Sequence, residues 1–129
     1  MRREIVIHSL EHARAALAAA ATGKAVILAS APGAALQAGP GWFKAVIEEA
    51  RAAYPQVAAT AILDCGDQPG AAMAALRLGL TDLRFHGAPD FRTKLEGMGA
   101  VFVPPAEAVL DLLAVREPEA ACTAFLRER

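Results

Sequence analysis

Five times along the chain, a short run rich in β-branched and aromatic residues is followed by a run of helical length and pattern. "EIVIHS" precedes "LEHARAALAAAATG", and "KAVILAS" leads through a Pro/Gly loop to "GWFKAVIEEARAAYP". "VAATAILDCG" precedes "QPGAAMAALRLGL", "TDLRFHG" precedes "APDFRTKLEGMG", and "AVFVPP" precedes "AEAVLDLLAVRE", with "PEAACTAFLRER" as a closing helix. Successive βα units fold into a largely parallel sheet with helical crossovers. The expectation is therefore one α/β domain over residues 1–129, with a five-stranded, mainly parallel sheet and flanking helices.

Local signals sharpen the pattern. Ser9 is placed to N-cap the first helix, but the third residue after it is His12, so the reciprocal capping box is missing. Phe43, Val46, Ile47 and Ala50 share one helical face, with Lys44, Glu48 and Arg51 turned away. Pro55 ends that helix, and Pro69 suits a first helical turn. The second strand, "AVILA", is apolar on both faces, as a buried parallel strand should be. The fourth alternates, with Leu83 and Phe85 on one side and Arg84 and His86 on the other. So one face of that strand is simply polar, lines a site or meets a partner.

Composition narrows the setting. The chain is 55% hydrophobic but only 5% aromatic, so alanine-rich surfaces must pack closely over a wide area. The net charge is −1, both signs are interspersed, and no basic block with interleaved aromatics marks a nucleic-acid surface. Cys65 and Cys122 stand 57 positions apart with no CxxC spacing, which fits a reducing cytoplasm better than a disulfide framework. Glu4, Glu11 and Arg14 interrupt any signal-peptide core. Residues 25–43 carry no charge, but Pro32, Gly33, Gly39, Pro40 and Gly41 break them into a strand and a loop. A soluble protein with no membrane span is expected.

Ligands of parallel α/β sheets bind beyond the carboxyl ends of the strands. Those ends carry His8 and Ser9, then Ser30, then Asp64 and Cys65, then His86, and finally Pro104 and Pro105. Asp64 reads as a turn-capping carboxylate or as a catalytic acid. Cys65 reads as a small buried side chain or as a zinc-binding thiolate with His8 or His86. His86 pairs with Asp64 or faces a ligand. Arg84 holds an anion or forms an ion pair with Asp64. His8 and His12 have i, i+4 spacing, yet His8 falls in a strand, so they make a weak two-histidine metal pair. Phosphate motifs are poor: "TGKA" at 22–25 is not a P-loop, and "GPG" at 39–41 opens a helix without completing a dinucleotide fingerprint.

Read in order, "HSLEHARAAL", "SAPGAALQAG" and "AILDCG" within residues 5–87 resemble the N-terminal half of class II fructose- and tagatose-bisphosphate aldolases. In that family a helix opens on a similar Leu-Glu, a second strand ends in a serine-containing loop, and a third ends in Leu-Asp-His-Gly. The resemblance implies a half (β/α)₈ barrel, with Asp64 in the place of the catalytic acid and Cys65 in that of the first zinc histidine. Ser30 would match a serine facing the substrate. "LDCG" then looks like an altered "LDHG". The remaining zinc histidines and phosphate loops belong to later strands that the chain lacks, so an active aldolase is not expected.

Two sheets satisfy these readings. The favoured one is doubly wound and flavodoxin-like, order 2-1-3-4-5. The alternative is the open half barrel, order 1-2-3-4-5, whose inner face at Val6, Ile62 and Phe102 would need covering. The leading functional expectation is a small anionic metabolite held at the carboxyl edge by Ser30, Arg84, His86 and the helix opening at Gly41. A metal-dependent lyase or hydrolase, with Asp64 moving a proton and zinc on Cys65 with His8 or His86, is one alternative. A structural or regulatory homodimer without ligand is the other; under every reading a homodimer is expected, with the last helix a candidate contact.

Overall fold

A computed structural model describes residues 2–21 and 25–128. The chain is an α/β protein with six strands, each parallel to the strands it pairs with, and flanking helices. The strands are β1 (Arg3–Val6), β2 (Val26–Ala29), β3 (Ala59–Asp64), β4 (Asp82–Arg84), β5 (Val101–Phe102) and β6 (Ala108–Asp111). The helices are α1 (Leu10–Ala20), α2 (Ala34–Gln37), α3 (Pro40–Ala53), α4 (Pro69–Arg77), α5 (Pro89–Gly97) and α6 (Pro118–Arg127). The "TGKA" stretch lies, apart from Ala25, outside the described residues. No helix among the described residues is long and apolar enough to cross a membrane.

The described residues form two compact units. The first takes in those within 1–29, 46–61 and 106–129. There β1 pairs with β2 on one edge and β6 on the other, with Val6 opposite both Ala29 and Asp111. Ser9 caps α1 as expected, its hydroxyl accepting the His12 N–H at 3.1 Å. Ala13, Ala16 and Leu17 of α1 and Cys122 and Phe125 of α6 are buried where these two helices pack. The small α1 side chains permit the close approach that the alanine-rich composition implied.

Three expectations are corrected here. The run at 106–117 is not a helix: residues Ala108–Asp111 form β6. Val109, Leu112 and Leu113 fit a helical stripe, but so short an apolar run fits a strand equally. Pairing decides, because β6 satisfies the second edge of β1. With both edges of β1 taken by β2 and β6, β1 is not beside β3, so the flavodoxin-like order 2-1-3-4-5 does not hold. Nor does α6 offer an unused apolar face, since Cys122, Phe125 and Leu126 are buried.

The second unit comprises residues 30–45 and 62–105. The end of β3 pairs with β4, and β4 with β5, placing Asp64 opposite Arg84 and Leu83 opposite Phe102. Pro69 occupies the first turn of α4, where its missing N–H costs nothing. Ile62, Leu63, Cys65, Leu83, Phe85 and Leu95 are buried in this unit. The alternation of β4 is as expected: Leu83 and Phe85 are buried, while His86 is exposed. Val6 in the first unit and Ile62 in the second are buried, whereas Phe102 is half-buried.

Candidate functional site

The carboxyl ends of β4 and β5 frame a cleft of about 260 Å³ in the second unit. Arg84, His86, Arg92, Phe102, Pro104 and Pro105 line it. Both arginines are held by main-chain carbonyls. Arg84 donates from Nε to the Val103 carbonyl at 3.2 Å and from Nη2 to that of Pro104 at 3.1 Å, fixing the turn after β5. Arg92, from the first turn of α5, donates from Nη1 to the Phe85 carbonyl at 2.8 Å. Its guanidinium carbon lies 4.3 Å from the centre of the Phe102 ring. Phe102 in turn stacks on Phe85, with centroids 6.3 Å apart and planes 28° apart. A cation over a ring face is attracted by the ring quadrupole, so Arg92 is positioned before any ligand arrives.

Behind the cleft, Asp64 ties two loops together. Its Oδ1 accepts the Gly33 N–H at 3.0 Å and the Gly66 N–H at 2.9 Å. Gly66 has φ +58°, a left-handed conformation that glycine enters without steric cost and that folds its N–H back onto Asp64. The Asp64 N–H donates to Ser30 Oγ at 2.9 Å, and the Ser30 hydroxyl donates to the Ala31 carbonyl at 3.1 Å. Ser30 is buried in this frame and does not line the cleft. The other carboxylate oxygen, Oδ2, lies 3.8 Å from His86 Nε2, so the expected Asp64–His86 pairing is a loose contact beyond hydrogen-bond distance. Gly41, just inside α3, is not part of the cleft wall.

Cys65 is fully buried, with its N–H bonded to the Arg84 carbonyl at 2.8 Å. Burial, and then the neighbouring Asp64 charge, push its thiol up to about 12, so it is a neutral thiol at pH 7. Zinc requires a deprotonated thiolate and several converging ligands. Among the described residues no three His, Cys, Asp or Glu side chains assemble to hold a metal. The residues present do not fit the zinc that the aldolase resemblance implied.

His8 belongs to the first unit and has other partners. Its Nε2 lies 2.6 Å from Asp111 Oδ1, which also accepts the Leu113 N–H at 2.9 Å. The His8 main-chain N–H donates to His12 Nδ1 at 3.0 Å, and the two rings meet edge to face at 5.7 Å. A neutral imidazole has one acceptor nitrogen. That of His12 is committed to His8, so His12 in this arrangement has no lone pair left for a metal. Burial, and then the His8 charge, hold His12 below its ordinary value and favour this neutral form.

Two residues escaped sequence reasoning. Asp111 was hidden by the helical reading of its segment. Arg92 was hidden in a helix, although a first-turn position after a strand end faces the carboxyl edge and would have been the signal. No family model matches the chain, and no curated protein does.

Proposed function

We propose that the second unit binds a small anionic metabolite in the cleft beyond β4 and β5. The observation that carries this reading is the convergence of Arg84 and Arg92 on one small cleft whose lining contains no carboxylate among the described residues. Guanidinium groups fixed by main-chain carbonyls and an aromatic face recognise phosphate or carboxylate through charge-assisted hydrogen bonds. His86, two-thirds exposed at the rim, adds a third donor. Phe102 and Pro104 supply apolar walls for the body of the ligand. Ser30 supports Asp64 rather than the ligand. The buried neutral thiol of Cys65 speaks for binding over the metal-dependent lyase or hydrolase.

The aldolase resemblance stays within this proposal as shared βα architecture, without aldolase activity. A cytoplasmic setting belongs to it as well, supported by two buried free cysteines. So does a homodimer, supported by the exposed Val109 in β6 and Leu113 just after it and tested by sedimentation.

Thermal melting in the presence of inorganic phosphate, citrate and a neutral sugar tests the binding reading. The anions raise the melting temperature saturably and the sugar does not. Arg92→Met, which keeps an apolar stem against Phe102, weakens the effect about tenfold or more. Equal shifts for anions and sugar, or an undiminished shift in the variant, would sink the reading.

A further inference from the structure

The first unit carries a second chemical group independent of the cleft. His8 follows β1 and Asp111 ends β6; Asp111 sits opposite Val6, and side chains two apart on a strand share a face, so His8 and Asp111 meet. Asp111 Oδ1, already anchored by the Leu113 N–H, accepts from His8 Nε2. That hydrogen bond places the proton of a neutral His8 on Nε2 and leaves Nδ1 as the nucleophilic nitrogen. His12, whose Nδ1 accepts from the His8 main chain, carries its own proton on Nε2 and stands edge-on to the His8 ring. One imidazole is thus an acceptor and its neighbour a donor. The His8 side chain is 23% exposed.

We infer that His8 is a catalytic imidazole for small activated acyl esters, with Asp111 its positioning residue. In the first step the Nδ1 lone pair forms a bond to the ester carbonyl carbon, and the alcohol leaves with the electron pair of the broken C–O bond. The Nε2 proton stays in the hydrogen bond to Asp111 while the ring is positively charged. Water then attacks the acyl carbon and the C–Nδ1 bond breaks, its electron pair returning to the ring; one water proton stays on the carboxylic acid and the other goes to the departed alkoxide or phenolate, restoring neutral His8. No oxidant or cofactor is required.

The probe is p-nitrophenyl acetate, followed by release of p-nitrophenolate from the full chain. His8→Gln lowers the rate at least tenfold, and Asp111→Asn lowers it by about tenfold or more. Circular dichroism establishes that each variant is folded. Nitrogen-15 spectra of the histidines supply a readout that loss of fold would not mimic. In the parent protein His8 is the Nε2–H tautomer, and in folded Asp111→Asn it becomes a mixture of tautomers. An undiminished rate in His8→Gln, or an Nδ1–H tautomer for His8 in the parent protein, would overturn the inference.

Discussion

Each unit places a histidine near a strand end beside a carboxylate from the neighbouring strand, and the two pairs divide their hydrogen bonds in opposite ways. In the first unit Asp111 is 52% exposed, and the oxygen that anchors it to Leu113 is also the one that holds His8 at 2.6 Å. In the second, Asp64 is 11% exposed; one oxygen clamps two loop amides, and the other stands 3.8 Å from His86. Asp64 is therefore a structural anchor that touches its histidine loosely. Asp111 is weakly anchored and closely joined to its histidine. Burial and the identity of the donors separate the two roles, because a buried carboxylate must find donors where it stands.

That contrast is open to direct attack. The largest effect is expected at the anchor. Asp64→Ala orphans the Gly33 and Gly66 amides and should cost about 2–3 kcal/mol in urea unfolding. Asp64→Asn, which keeps an acceptor oxygen, should cost clearly less. A loss below that of Asp111→Ala would reverse the assignment of roles. Next comes Gly87, in the loop before α5. A Cβ there would collide with Phe85 Cζ, at a buried ring that also supports Phe102. Gly87→Ala should cost about 1–3 kcal/mol by overpacking and weaken anion binding in the cleft. Unchanged stability would mean that the ring moves freely and does not brace the arginine.

Smallest is the effect at the exposed pair, where Asp111→Ala should stay within about 1 kcal/mol of the parent. Its signature is a dependence on pH. Burial raises the Asp111 carboxyl, but the Leu113 N–H and His8 outweigh it and hold the group below its ordinary 3.8. His12 is likewise held below 6.5, chiefly by burial. In both cases the unfolded chain binds the proton more readily than the folded one, so stability rises with pH. The His12 contribution is complete above 6.5 and fades as pH falls below it, whereas that of Asp111 fades only below 3.8. Urea midpoints measured from pH 7.5 to 5 should therefore decline gently, and His12→Gln should flatten the decline. A steeper slope in that variant would contradict the assignment.

How far the sequence revealed this molecule depends on the range of each interaction. The βα alternation, the Ser9 cap, Pro69 in a first turn and the buried Phe43–Ala50 face are local, and each was legible. So was the split of Leu83 and Phe85 from Arg84 and His86. β6 was not, because its four residues satisfy two periodicities and only the free edge of β1 chooses between them. The partners of Asp64 were equally hidden: Gly33 lies 31 positions away and contributes only a main-chain N–H, which no side-chain pattern announces. Arg92 carried no motif, and its role comes from a ring ten residues further on.

The central claim is that guanidinium groups at the carboxyl ends of β4 and β5 form an anion site. Isothermal titration of the full chain with inorganic phosphate, beside Arg92→Met, tests it most directly. Saturable binding to one site per chain, weakened about tenfold or more in the variant, is the predicted result. Absence of saturable binding to the parent, or equal binding by both proteins, would contradict the account.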